Sequence, residues 1–75
     1  MTLDSLKKGG KAKIIEVGGE GALRRRLLEM GITPHAQVEV VSFAPLGDPM
    51  NIRLRGFNLA IRKEEAKNIT IEVTP

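Results

Sequence analysis

At 75 residues without a single cysteine, the chain is expected to be one small domain, residues 1–75, that holds its fold without disulfides, thiolate metal ligands or a thiol nucleophile. Twelve Lys and Arg against nine Asp and Glu leave a net charge of +3, which permits weak attraction to phosphate or to an acidic protein face but falls well short of a polybasic nucleic-acid binder. Apolar runs stay short and the Met1-Thr2-Leu3-Asp4 start has neither a charged n-region nor an apolar h-region, so no membrane span or signal peptide is expected and the chain reads as soluble and cytoplasmic.

In chain order, Leu3 and Leu6 frame a short turn that Gly9-Gly10 ends. Lys11 to Val17 alternates, with Ala12 and Ile14 on one side and Lys11, Lys13 and Ile15 on the other, as in a half-buried strand. After the Gly18-Gly19-Glu20-Gly21 loop, Ala22 to Met30 has helical spacing: at about 100° per residue Leu23, Leu27 and Met30 share a face, and Gly31 ends the helix as its left-handed residue. Thr33-Pro34-His35-Ala36 is a turn, and Gln37 to Val41 alternates again, with Val38 and Val40 together.

A turn-rich run, Pro45-Leu46-Gly47-Asp48-Pro49-Met50, follows. Beyond it Ile52 and Leu54 face one way while Asn51, Arg53 and Arg55 face the other, and Gly56 marks a tight bend or bulge. Phe57, Leu59 and Ile61 form the next inward set, Lys63 to Lys67 one helical turn, and Ile69, Ile71 and Val73 the inward side of a last strand. Short strands with one apolar face, too few for a sandwich, predict a mainly β fold: a small SH3-like barrel of about five strands with one inserted α-helix over an end. The expected core joins Ile14, Leu27, Val38, Ile52, Leu54, Leu59, Ile61 and Ile71.

No enzyme chemistry is legible. Gly18-Gly19-Glu20-Gly21 lacks the Gly-Lys-Ser/Thr ending of a P-loop and the third glycine of a dinucleotide fingerprint, so it reads as a connector. Adjacent Glu64 and Glu65 cannot both point into one cleft and read as a solvated turn. His35 has no cysteine or second histidine with which to share a metal. No catalytic residue, cofactor or metal site is therefore expected.

What stands out is a surface. Phe43, Pro45, Leu46 and Met50 are more apolar than a solvent loop requires, and Asp48 before Pro49 is held extended. Arg24, Arg25 and Arg26 fan around the helix near its positive end, and Leu28 lies off the shared apolar face. These residues either cover the barrel end and solubilise the helix, or form a docking patch of Leu28 and Phe43, Pro45, Leu46, Gly47, Asp48, Pro49 and Met50 rimmed by Arg24 and Arg25.

Four segments in one order carry a resemblance over nearly the whole chain: Glu20 to Ile32 (EGALRRRLLEMGI), Ala44 to Pro49 (APLGDP), Ile52 to Gly56 (IRLRG) and Leu59 to Ala66 (LAIRKEEA). Together they resemble the FeoA family of ferrous iron transport proteins. The resemblance implies an SH3-like domain encoded with a membrane ferrous iron transporter, FeoB, whose cytoplasmic part binds GTP. Similar domains end metal-dependent repressors of the diphtheria-toxin-repressor type. One departure is visible, since the family turn after the helix usually reads Pro-Gly and here it is Pro34-His35.

The resemblance thus makes the cytoplasmic region of an FeoB-type transporter the expected partner, met through the patch above, with the membrane reached only through that partner and weak homo-oligomerisation also open. The alternatives are an SH3-like regulatory module or a weak nucleic-acid binder. With two Phe and no Tyr or Trp the chain lacks the stacking platform the latter needs, so no nucleic acid is expected.

Overall fold

Alternating apolar residues build the sheet, and the places where alternation breaks give it curvature. The computed structural model describes residues 1–74; Pro75, the last residue of the expected domain, lies outside them. Five antiparallel strands, β1 (Lys11–Val17), β2 (Gln37–Phe43), β3 (Met50–Leu54), β4 (Phe57–Ile61) and β5 (Ile69–Val73), form one sheet in the order β4-β3-β2-β1-β5. A 3₁₀ turn (Leu3–Ser5) precedes β1, α1 (Gly21–Glu29) joins β1 to β2, and α2 (Lys63–Ala66) is the helical turn before β5. Ile61 of β4 and Ile69 and Ile71 of β5, from opposite edges, lie in one buried cluster, so the sheet curls on itself. The fold is the mainly β, SH3-like architecture expected from the sequence.

Two irregularities set the curl. Register shifts between Ile14 and Glu16 on β1, so Glu16 joins Ile15 on the outward side and Val17 returns to the core. On β2 a shift between Val40 and Ser42 brings Phe43 opposite Met50. That shift carries β2 two residues past the expected end at Val41.

The core holds seven of the eight expected residues as buried side chains, and Leu59 packs against it half-buried. It also takes Leu3, Leu6, Ile32, Val40, Met50 and Ile69. Helix α1 contributes Leu27, wholly buried, with Leu23, Leu28 and Met30 partly so. Its end is a Schellman turn: Ile32 N–H donates to the Leu27 carbonyl at 3.1 Å and Gly31 N–H to the Leu28 carbonyl at 3.0 Å. Gly31 takes the left-handed conformation, φ 93°, that this closure needs.

Two inward assignments are corrected. Phe57 is 71% exposed and Val73 48% exposed, although alternation places both with inward neighbours. Each stands at the end of an edge strand, where the sheet has no further neighbour to fold over it.

Candidate functional site

The loop between β2 and β3 is braced from inside and open at its tip. Ala44 N–H donates to the Pro49 carbonyl at 3.0 Å, closing the loop at its base, and Gly47 N–H donates to the Ala44 carbonyl at 2.7 Å, making a turn with Pro45 at its first corner. Leu46, at the second corner, is 96% exposed. Pro45 and Asp48 are also exposed, while Gly47 and Pro49 are half-buried.

Below the tip, α2 holds the loop. Asp48 Oδ1 accepts from Lys63 N–H at 2.9 Å, placing a carboxylate on a free N–H at the start of α2. The Lys63 ammonium lies 5.1 Å from the centroid of the Phe43 ring, within cation–π range. Phe43 is half-buried and packs on the core, so it supports the loop more than it presents a surface. Met50 is corrected outright: it is completely buried, on the same side of β3 as Ile52 and Leu54, and belongs to the core and not to any docking patch.

On α1 the three consecutive arginines diverge. Arg24 Nε donates to the Val17 carbonyl at 3.1 Å, tying the helix to the end of β1. Arg26 forms an ion pair with Glu65 of α2. Arg25 is exposed and has no hydrogen-bond or ion-pair partner among the described residues, so the Arg25–Glu29 pair allowed by spacing is not made. Leu28 is half-buried against the core. No hydrogen bond among the described residues joins α1 to the loop directly; both are tied to α2, through Arg26–Glu65 and Asp48–Lys63.

Lys63 and Glu65 are therefore the connecting residues, and the expectation that Glu65 lies in a solvated turn is corrected, since its half-buried carboxylate is held by Arg26 and Arg62 N–H. The signal available was an acid at the third position of a short helix, the acidic half of a capping box: Glu65 Oε1 accepts from Arg62 N–H at 3.0 Å. Glu64, by contrast, is exposed, as a solvated turn requires. His35 is exposed with φ 76°, and its N–H donates to the Ile14 carbonyl at 2.7 Å, so it fills the glycine position of the turn. Among the described residues, no three His, Asp or Glu side chains gather as a metal-binding group. A groove of about 250 Å³ on the outer sheet face is lined by Lys11, Gln37, Glu39, Arg53 and Arg55 around Val38, charges of both signs side by side. No helix among the described residues is long and apolar enough to cross a membrane.

The family model for the FeoA domain matches residues 1–73. The chain belongs to the FeoA family. Its fold is superimposable on solved FeoA structures: that of Chlorobium tepidum FeoA gives a TM-score of 0.92 at 40% identity, covering 100% of this chain and 71% of the other. The FeoA of Stenotrophomonas maltophilia, solved in complex with zinc and described as an SH3 domain protein, gives 0.85 at 29% identity over 96% of this chain and 89% of its own. In Porphyromonas gingivalis a protein that fuses Fe(2+) transport protein A to the Fe(2+) transporter FeoB is 40% identical over 73 residues, 97% of this chain. The chain spans only 9% of that fusion's length. FeoA is a family of ferrous iron transport, and in that relative the domain and the transporter share one polypeptide.

Proposed function

We propose that the chain is a small accessory protein of ferrous iron uptake that docks on the cytoplasmic region of an FeoB-type transporter and modulates it by protein contact. The observation that carries this reading is the fusion in Porphyromonas gingivalis, which keeps an FeoA part at the high effective concentration that a shared chain imposes on its FeoB neighbour. A separate chain needs a surface to supply the same proximity, and the β2–β3 loop has the right composition: Leu46 exposed on a braced turn, with Pro45 beside it and Asp48 engaged below. Leu28 adds apolar area, and Arg24 and Arg25 supply a cationic rim that sets approach and register.

The reading assigns the chain a cytoplasmic location, a membrane association made only through the transporter, and no chemistry of its own. The decisive experiment is calorimetric titration of the purified chain, wild type and Leu46→Ser, against the cytoplasmic domains of an FeoB-type transporter. Saturable binding weakened by the substitution supports the proposal; no binding by the folded wild-type chain overturns it.

A further inference from the structure

The two edges of the sheet are finished differently. Along β5, Thr2 bridges to Thr70 and Ile71 N–H donates to the Met1 carbonyl at 2.9 Å, so the N-terminal segment covers that edge. β4 has no such cover. Its hairpin with β3 turns on Arg55-Gly56, with φ 52° and 83°, the two left-handed residues of a type I′ turn. The turn pairs Leu54 with Phe57 and sets Ile52 against Leu59 and Met50 against Ile61. In such a hairpin the pair flanking the turn is hydrogen-bonded, and bonded pairs then alternate with non-bonded ones. The N–H and C=O of Asn58 and Ala60 therefore point away from β3, and no other backbone group among the described residues meets them.

Open edges are ordinarily blunted by proline, an inward charge, a bulge or a covering segment. β4, Phe-Asn-Leu-Ala-Ile, has neither proline nor charge, and its register with β3 runs unbroken. Phe57 is exposed and Leu59 half-exposed beside it. Within the hairpin itself the charge is of one sign: from Met50 to Arg62 the chain carries Arg53, Arg55 and Arg62 and no Asp or Glu, although Glu39 of β2 lies opposite Arg53 and the Arg55 guanidinium is engaged by Gly31 and Thr33. Arg53 Nε donates to Asn58 Oδ1 at 3.3 Å, which sets its guanidinium beside the edge, and exposed Arg62 follows the strand.

We infer that the β4 edge is a binding site for an extended protein segment bearing acidic side chains, added to the sheet as a further strand. The outward groups of Asn58 and Ala60 supply main-chain hydrogen bonds, Phe57 and Leu59 receive apolar side chains, and Arg53 and Arg62 select acidic ones. A second copy is the wrong occupant, because pairing β4 with itself sets one all-cationic hairpin against another. The inference stands on hairpin geometry and charge and does not depend on the loop assigned to transporter docking.

The test is an NMR titration of the full chain at low salt with an eight-residue peptide of alternating valine and glutamate, set against a valine–lysine peptide of the same length. The expected result is amide shifts and slowed exchange centred on Asn58 and Ala60, with the lysine peptide at least about ten-fold weaker. Ala60→Pro removes an outward N–H while leaving the β3 ladder intact and should weaken the glutamate peptide about ten-fold. Arg62→Glu, at an exposed position, should weaken it as well. Shifts absent from Asn58 and Ala60, equal binding of both peptides, or a folded Ala60→Pro that binds like wild type overturns the site. If Ala60→Pro does not fold, unchanged affinity in Arg62→Glu overturns it. Concentration-dependent shifts at the same amides without peptide would hand the edge to a second copy and overturn it too.

Discussion

The Glu65 carboxylate fastens α1 to the start of α2 by accepting on Oε2 from the Arg26 guanidinium while Oε1 takes the Arg62 N–H at 3.0 Å. The two halves of this arrangement differ in strength. Arg26's side chain is 61% exposed, so solvent screens its ion pair, whereas Glu65's side chain is only 14% exposed. A screened surface pair contributes less than ~1 kcal/mol, while a carboxylate on a helix-start N–H contributes about 1 kcal/mol. Glu65→Ala should therefore lower unfolding free energy in urea by ~1–2 kcal/mol, and Arg26→Ala by less than ~1 kcal/mol. Equal losses would mean that the bond to Arg62 contributes nothing.

That link is also where reading the sequence stops short. Arg26 and Glu65 are 39 residues apart, and no local period marks such a pair. Strands β1 and β3 to β5 were legible because the curled sheet buries one face and alternation records it. Bulges break alternation by one residue, which is why the alternating pattern of β2 stops at Val41 and Phe43 falls outside it. Met50 shares the parity of Ile52 and Leu54, so its burial was readable; the neighbouring prolines and glycine drew it into the loop instead. For the candidate site, exposed Leu46 and Arg25 were readable from composition, but the bracing by Lys63 and Asp48 depends on tertiary placement.

Burial ranks the core differently from alternation. Leu27 is wholly enclosed and also anchors the Schellman turn, whereas Leu59 retains solvent contact on an edge strand. Leu27→Ala should cost roughly 2 to 5 kcal/mol, a large share of a small domain's stability. Leu59→Ala should cost clearly less and leave a cooperative melt. The thermal unfolding of the two variants checks this, and a Leu59→Ala loss as large as that of Leu27→Ala would refute the ranking.

The Pro34-His35 turn offers a test in the opposite direction. His35 holds φ 76° with an exposed side chain, so its imidazole contributes little packing to offset the left-handed backbone. Replacement by glycine removes that strain but enlarges the unfolded ensemble. We expect His35→Gly to leave stability within about 1 kcal/mol of wild type, and His35→Val to destabilise by more than ~1 kcal/mol, since a β-branched residue fits the left-handed region worst. Guanidinium midpoints decide it, and a His35→Val protein as stable as His35→Gly would show that the turn reshapes to relieve φ.

The docking surface should fail in two distinguishable ways. Leu46 contributes nothing to the core at 96% exposure, so Leu46→Ser should leave the melt unchanged. If it is a central contact, the same substitution should weaken binding to the transporter's cytoplasmic domains by ~1 kcal/mol or more. Arg25, exposed and without a partner among the described residues, belongs to the rim of the proposed patch. Arg25→Glu should mainly slow association, with the difference from wild type shrinking as salt rises, because interactions between exposed charges are screened beyond about 10 Å at 0.1 M. Asp48→Ala separates contact from bracing: its Oδ1 holds the loop to Lys63, so its loss should weaken docking through a looser loop and lower the melting temperature at the same time. Stopped-flow association and calorimetry on the three variants measure these effects. Should Leu46→Ser and Arg25→Glu both bind like wild type while folded, the transporter meets another face and the loop serves only to close the barrel end over Phe43.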